Sequence, residues 1–365
     1  MISFLLTQSF YFIIPLLVVA IAGMYSEKSG TVNIALEGIM VMGAFAGIFF
    51  ISSVQFFFEP ENLERIAELP ERLQVFLKNS ATFLNSKPHL LLTIAMVLSI
   101  LSGMLFASLL GLLAINMKAN QTIGGVALNI LAGALAIFLA RTLNNTEASQ
   151  VKFTKEAFIF KSNFLIDLFP NLEPGTFIYR VVSGLNKVFF YDSYIFVYIA
   201  IIIFVATAFI IKKTRFGMRL SACGEHPHAA QSVGINVYRY RWAGILISGA
   251  LGGLGGLIYI IPTSVSFSGS VAGYGFLALA VLIFGQWKPS GILFASIFFG
   301  IFKTLSVVYI GIPFIINWME KNPNIPFGMI FNLMPYLITL IALAVTSKTS
   351  RAPKAAGIPF DAKGM

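Results

Sequence analysis

Two ionisable residues, Glu37 and Lys303, lie deep within long apolar stretches of the sequence. Placing a charged side chain inside a membrane is energetically unfavourable, so such residues usually form a pair or serve a function. Glu37 has three open roles: it pairs with Lys303 or Lys28, it caps a broken helix, or it faces a solute pathway. For Lys303 we favour a structural role, either a side chain that extends to the membrane interface or a buried ion pair. Two charges are a weak basis for a proton relay, so an ion-coupled carrier is our alternative hypothesis.

The other polar residues in the apolar stretches are amides and hydroxyls, among them Asn33, Gln121, Asn129 and Ser248. Such groups commonly form hydrogen bonds between membrane helices, and this structural role alone would account for them. The functional interpretation is a neutral polar pathway for an uncharged solute that exchanges hydrogen bonds. Both interpretations remain open at the level of the sequence.

Nothing in the sequence indicates that this chain is an enzyme. The motifs HExxH, GxSxG and GxxxxGK[ST] are missing, and the three histidines lie at loops or span ends, outside any metal-binding pattern. The single cysteine, Cys223, excludes an intrachain disulfide and a cysteine-based metal site. Without a phosphate-binding loop the chain does not hydrolyse nucleotide. Active transport would therefore need an ion gradient or a separate ATPase.

Composition places these residues in a membrane protein. Of 365 residues, 57% are hydrophobic and only 11% are charged, against about 25% charged in an ordinary globular chain. So few charges cannot cover a water-facing surface, which excludes a soluble enzyme, a secreted disulfide scaffold and a disordered chain. We predict an all-α polytopic membrane helix bundle of about eight to ten transmembrane helices. Nine candidate spans are 4–25, 31–51, 90–116, 121–141, 192–211, 241–262, 271–287, 289–311 and 330–346.

The distribution of lysine and arginine predicts the orientation. The net charge is +10, and basic residues concentrate in the segment 212–241 and in short connections at Lys28, Lys118 and Lys288. With nine spans, these connections all lie on the cytoplasmic side, and the first residues lie outside. The first apolar stretch lacks a basic leading region and a cleavage site, so we expect a retained span, not a signal peptide.

We expect one transmembrane permease domain over residues 1–350, followed by a cytoplasmic tail at 351–365. The long connections 52–89 and 142–191 fall on the external side. Within the first, apolar residues at helical spacing over 63–76 predict a surface helix.

The cytoplasmic loop 212–240 contains a short amphipathic segment from Glu225 to Val233, between Gly224 and Gly234. Pro227 is suited to the first turn of a helix, and Gly234 to the position after its end. Ala229 and Ala230 would give this helix a flat surface. A short helix tied to two spans could be moved by a partner protein, although a basic loop that only sets topology has the same charge pattern.

Five blocks of sequence resemble, in order, the permease subunits of ABC importers of the branched-chain amino acid and simple-sugar permease superfamily. The block GEHPHAAQSVGINV (224–237) is similar to the EAA-like coupling loop of these subunits. The others are EKSGTVNIALEGIMVMGAFAG (27–47), NQTIGGVALNILA (120–132), AGYGFLALAVLIFGQWKP (272–289), and MPYLITLIAL (334–343) followed by RAPKAAGIPF (351–360). The LEG, GFLALAVLIFGQW and RAP blocks look most like the nucleoside-importing branch.

The resemblance implies a permease subunit of the bacterial cytoplasmic (inner) membrane that has no cofactor of its own. Its implied partners are a cytoplasmic ABC ATPase that binds ATP, a second permease subunit, identical or related, and an extracytoplasmic solute-binding lipoprotein. Its implied solute is a nucleoside, with purine nucleosides favoured and a ribose- or galactose-type sugar as the alternative. For ATPase coupling we select Gly224, Glu225, Pro227, Ala229, Ala230, Gly234 and Asn236, and for the substrate pathway Asn33, Glu37, Gln121 and Asn129.

Three features depart from the family pattern. Ser221 stands where a basic residue is common, Lys303 is unusual, and the connection 52–89 is long. These departures bear on the preferred solute and leave the family resemblance intact.

Overall fold

A computed structural model of the chain describes residues 2–59, 63, 69–144, 150–169, 176–322, 325–346 and 352–361. Most of these residues are helical, because a helix satisfies every backbone polar group within its own segment. The helices are α1 (Ile2–Lys28), α2 (Leu36–Gln55), α3 (Glu71–Asn85), α4 (Pro88–Gly111), α5 (Gln121–Asn144), α6 (Phe164–Leu168), α7 (Phe177–Asn186), α8 (Phe196–Lys213), α9 (Arg215–Glu225), α10 (Pro227–Ser232), α11 (Val237–Thr263), α12 (Tyr274–Phe284), α13 (Pro289–Val308), α14 (Pro313–Lys321) and α15 (Phe327–Thr346). The strands are β1 (Val151–Lys152), β2 (Ile159–Phe160), β3 (Ser193–Tyr194) and β4 (Ser266–Phe267).

The predicted all-α membrane bundle is confirmed. In the described part of the chain, 7 helices are long and apolar enough to cross a membrane, namely α1, α2, α4, α5, α8, α11 and α13. Two shorter apolar stretches, Tyr274–Phe284 and Phe327–Ala342, match the two remaining predicted spans.

Two of the predicted spans have wrong helical boundaries. In the predicted span 31–51, residues 31–35 are not helical, and the helix begins at Leu36. The span at 271–287 contains only the 11 residues of α12. Such a helix rises about 16 Å, roughly half of the hydrocarbon core of a bilayer. α2 is still long enough to cross a membrane, so only α12 is shorter than the continuous span that the sequence predicted.

The central helix of the bundle is α11, which packs against α1, α2 and α4. Its small residues lie at these contacts: a Cβ added to Gly253 would overlap the backbone of Gly103, and one added to Gly256 would overlap the carbonyl of Met40. In lipid, where the hydrophobic effect does not drive helices together, such close packing holds them. The small residues of 248–256 therefore permit the close approach of α11 to its neighbours.

The two long connections contain short elements at the end of the bundle where α2 finishes. Strand β1 pairs antiparallel with β4, and β2 pairs antiparallel with β3. The side chain of Gln55 exchanges two hydrogen bonds with the backbone of Thr154, at 2.9 and 2.8 Å. In the connection 52–89 the helix α3 covers 71–85, which overlaps the predicted stretch only at its end, and residues 64–68 of that stretch lie outside the described residues.

The basic connections meet at the opposite end of the bundle, which we call the basic end. A Cβ on Gly224 of α9 would overlap the carbonyl of Lys28, the last residue of α1. Lys118, between α4 and α5, forms an ion pair of 3.0 Å with Asp361. Residues 352–361 therefore pack across this end of the domain. These ten residues belong to the expected cytoplasmic tail, and their backbone and some of their apolar side chains bind the bundle.

Candidate functional site

The non-helical residues 31–35 form a break between α1 and α2 that is surrounded by other helices. Thr31, Asn33 and Ala35 are fully buried. Irregular backbone within a membrane protein needs hydrogen-bond partners from the protein itself, because the apolar surroundings supply none. Side chains of neighbouring helices provide these partners.

Two amides of α5 hold the break. The Gln121 Oε1 atom accepts a hydrogen bond of 2.8 Å from the backbone N–H of Val32. Eight residues further along the same helix, Asn129 donates from Nδ2 to the carbonyl of Ile34 at 2.9 Å and accepts at Oδ1 from the N–H of Gly38 at 2.8 Å. Asn129 therefore bridges the last part of the break and the first turn of α2.

Asn33 lies in the break itself and connects it to the central helix. Its Nδ2 atom donates a hydrogen bond of 2.9 Å to Ser248 Oγ of α11. The Asn33 Oδ1 atom and the Gln121 Nε2 atom are buried and have no hydrogen-bond partner among the described residues. The Thr31 Oγ1 atom is likewise buried with no partner among the described residues, so the break and α5 together offer donors and acceptors to a polar ligand or water.

Glu37 joins the first turn of α2 to the start of α12. Its Oε1 atom accepts a hydrogen bond of 2.8 Å from the N–H of Gly273, and its Oε2 atom accepts one of 2.6 Å from the N–H of Gly275. These donors are the unsatisfied N–H groups at the first turn of α12, where the helix dipole also favours a negative charge. Of the three roles left open by the sequence, Glu37 has the capping role, and the helix it caps is α12.

Two glycines make this contact possible. Gly273 has a φ of +78°, a left-handed conformation that strains other residues. A Cβ on Gly275 would overlap the backbone N and Cα of Glu37, so only glycine permits this approach. The motif AGYGF therefore encodes the start of α12 and its distance from α2.

Lys303 does not join this cluster. It is partly buried in α13, and among the described residues no ion pair connects it, or Lys28, to Glu37. The pairing that the sequence left open is therefore not formed among the described residues, and the Glu37 carboxylate instead accepts hydrogen bonds from the start of α12.

The second candidate region is the pair of short helices α9 and α10 at the basic end. Pro227 occupies the first position of α10, as predicted. Gly234 follows the end of α10 with a φ of +83°, also as predicted. Asn236 precedes α11, and its Oδ1 atom accepts a hydrogen bond of 3.1 Å from the N–H of Arg239. These residues set the angles at which the chain enters and leaves α10.

The predicted helix from Glu225 to Val233 is wrong in its boundaries. Glu225 ends α9, and His226 separates it from α10, because Pro227 disfavours a helical conformation of the residue before it. Ala229 is exposed, as a docking surface requires, whereas Ala230 is buried against the bundle. The flat exposed surface therefore contains only one of the two alanines.

An open groove of about 480 Å³ lies beside α10, between α9 and the start of α11. Gly234 and Asn236 line it together with the arginines Arg219 and Arg239. Its charge makes it suited to carboxylates of a partner protein.

Sequence reasoning missed three residues that hold the basic end together. Trp287 Nε1 donates a hydrogen bond of 2.6 Å to the buried carboxylate of Glu27. Arg241 is 1% exposed although it was counted among the residues that set topology. Glu27 and Trp287 both belong to blocks that carry the family resemblance, and this was the available signal for their pairing.

The model of one protein family, described as the branched-chain amino acid transport system permease component, matches residues 5–344. The chain belongs to this family. The match covers nearly the whole bundle, so the break, α12 and α10 are parts of a permease component.

Curated relatives match over nearly the whole chain. The nucleoside ABC transporter permease protein NupC of Lactococcus lactis is 34% identical, over 95% of this chain and 93% of its own. The guanosine ABC transporter permease protein NupQ of Bacillus subtilis is 34% identical, over 98% and 96%. A second permease of the same Lactococcus strain, the nucleoside ABC transporter permease protein NupB, is 26% identical, over 80% and 69%. No solved structure matches the chain.

Proposed function

We propose that this chain is the permease subunit of an ABC importer of the bacterial cytoplasmic (inner) membrane that moves nucleosides inward, with purine nucleosides favoured. The observation that carries this proposal is the 34% identity to permeases named for nucleoside and guanosine transport. ATP is bound and hydrolysed by a separate cytoplasmic ATPase, and an extracytoplasmic lipoprotein delivers the solute.

A second permease subunit completes the pathway. One Lactococcus strain has two relatives of this chain that are both named as nucleoside permeases, which favours a pair of related subunits over two copies of one. The solute crosses between the two subunits.

The substrate pathway runs past Asn33, Glu37, Gln121 and Asn129. Support comes from the free atoms Asn33 Oδ1 and Gln121 Nε2, since a nucleoside offers both donors and acceptors. Glu37 and Asn129 have a positioning role, because their polar atoms already bind the backbone of α12 and of the break. A change in the angle between α2 and α12 would alter the surroundings of the two free atoms and release the solute.

Coupling to the ATPase takes place at Gly224, Glu225, Pro227, Ala229, Ala230, Gly234 and Asn236. Glu225, Ala229, Gly234 and Asn236 are exposed for contact with the partner, whereas Gly224 and Ala230 transmit the movement because they are packed against the bundle.

Uptake of radiolabelled guanosine into proteoliposomes tests this proposal. The vesicles contain this chain, the second permease and the ATPase, with binding lipoprotein outside, and are prepared with or without internal ATP. We expect ATP-dependent uptake that excess ribose does not reduce. Inhibition by ribose would instead identify a sugar permease. Uptake that needs no ATP and follows a proton or sodium gradient would identify an ion-coupled carrier and overturn the proposal.

A further inference from the structure

We infer that residues 352–361, which we call the strap, connect the coupling helix α10 mechanically to the break at 31–35. This inference rests on the proposed function, since it concerns how the work of the ATPase reaches the pathway. Phe360 and Arg241 are the positioning residues of this connection. The strap contacts four separate parts of the bundle, and each contact is a specific one.

At one end, the strap inserts an aromatic ring beneath α10. Phe360 is only 4% exposed and packs in one cluster with Cys223, Ala230 and Val237. Its ring lies 5.1 Å from that of His228 between centroids. A helix of six residues is not stable by itself, so α10 depends on these contacts for its position. A movement of α10 therefore acts directly on Phe360.

Earlier in the strap, backbone groups bind the chain next to the break. The N–H of Gly357 donates to the carbonyl of Gly30 at 3.3 Å, and the N–H of Ala355 donates to the carbonyl of Gly224 at 2.8 Å. Gly30 immediately precedes the break, and Val32, two residues further on, is held by Gln121. Only two residues of the strap, Ile358 and Pro359, separate Phe360 from this contact at Gly357.

The guanidinium of Arg241 fixes the middle of the strap. Its Nη1 atom donates a hydrogen bond of 3.0 Å to the carbonyl of Ile358. Its Nε and Nη2 atoms are buried without a hydrogen-bond partner within the described ranges. A Cβ on Gly30 would lie 2.9 Å from Nη2, so the guanidinium rests directly on the chain before the break. Because a buried charge tolerates little displacement, α11, the strap and Gly30 are held in one arrangement.

A further ion pair extends the connection to α5, the helix that carries Gln121 and Asn129. Lys118, which lies three residues before α5 begins, has its Nζ atom 3.0 Å from Asp361 Oδ2. The strap therefore reaches the break from both sides: through Gly30 to its backbone and through Lys118 to the helix that holds it.

The test measures guanosine transported per ATP hydrolysed, in the complete importer reconstituted in proteoliposomes. For Phe360→Ala we expect this ratio to fall by about fivefold or more, while ATP hydrolysis per complex stays within about twofold of the wild type. Phe360→Leu, which retains a buried apolar side chain, should restore most of the ratio. The matched control is Ile358→Ala, because this neighbouring side chain is 56% exposed and its removal should leave the ratio unchanged.

Gly357→Ala provides an independent test if Phe360→Ala fails to assemble. Gly357 has a φ of +81°, and an added Cβ would meet Val32 at 3.4 Å, so the substitution disturbs the contact with the break and leaves the Phe360 cluster in place. We expect the same fall in transport per ATP. A wild-type ratio in this variant, or in an assembled Phe360→Ala, would overturn the inference. Wild-type uptake without ATP would instead refute the proposed function, so the two failures are distinguishable.

Discussion

The contact between Glu37 and α12 predicts the effect of replacing Glu37 by glutamine. The carboxylate accepts two hydrogen bonds from backbone N–H groups, at 2.8 and 2.6 Å. Glutamine keeps one acceptor oxygen, but its NH2 group would face the second N–H, donor against donor. The substitution therefore removes one charge-assisted hydrogen bond, worth about 1.5–3 kcal/mol, and the charge at the helix terminus, worth up to about 2 kcal/mol. We expect a loss of about 2–4 kcal/mol.

The single cysteine provides the assay. Cys223 is fully buried, so a thiol-reactive fluorophore reports on unfolding of the purified chain as the temperature rises. The expected loss corresponds to a decrease in the unfolding midpoint on the order of 5 °C, compared at one scan rate. Lys303→Gln is the control, because no ion pair joins Lys303 to Glu37 in the described chain.

Two results would refute this reasoning. A Glu37→Gln variant that unfolds within about 1 °C of the wild type would mean that the hydrogen bonds to α12 contribute nothing measurable. An equal decrease in Lys303→Gln, with no further decrease in the double variant, would mean that the two residues act as a pair.

Three further predictions use the same protein. Gly275→Ala should lower the midpoint, because its methyl group would displace α12 from Glu37, whereas Gly184→Ala, in open space within α7, should not. Gly234→Trp should reduce the amount of guanosine transported per ATP without unfolding the chain. Gly234→Ala adds the same backbone strain of about 1 kcal/mol without the bulk, so it should retain more of this transport. Burial raises the pKa of Cys223 to about 11. Since this folded-state pKa exceeds the unfolded value of about 8.5, stability followed by tryptophan fluorescence should decline between about pH 9 and 11, and less so in Cys223→Ala.

The sequence predicted the bundle because hydropathy determines membrane helices directly. It also identified Asn33, Glu37, Gln121 and Asn129, since polar residues stand out in apolar stretches. The structure brings all four to the same break and its surroundings. Pro227 and Gly234 were placed correctly because proline and glycine have strong conformational preferences of their own.

The local structure of residues 31–35 and of the start of α12 could not be predicted, because the groups that stabilise it lie far away in the sequence. Residues 31–35 remain non-helical because Gln121 and Asn129, far along the chain, satisfy their backbone groups. The first turn of α12 is capped by Glu37, more than 200 residues earlier. Such partners exist only after the helices pack, so neither propensity nor hydropathy of the local segment contains them.

The strap was missed for a different reason. Its composition is that of an exposed tail, and only the burial of Phe360 and the hydrogen bond from Arg241 to Ile358 make it part of the domain. An arginine at the first turns of a span predicts a basic loop by its charge alone. Arg241 is instead a buried anchor for the distant strap, and this role depends on the close approach that Gly30 permits.

The hydrogen bonds that the Glu37 carboxylate accepts also bear on the kind of solute that this pathway can carry. Each oxygen of the Glu37 carboxylate accepts one hydrogen bond from the N-terminus of α12, and each keeps a second lone pair. The two N–H groups and the helix dipole already compensate its negative charge, so a cation gains less at Glu37 than at an uncompensated carboxylate. Within the break and α5, the buried atoms Thr31 Oγ1, Asn33 Oδ1 and Gln121 Nε2, which have no hydrogen-bond partner among the described residues, are uncharged. The geometry therefore favours an uncharged solute that exchanges hydrogen bonds, moved by work done at α10, over a cation that drives transport by its own gradient.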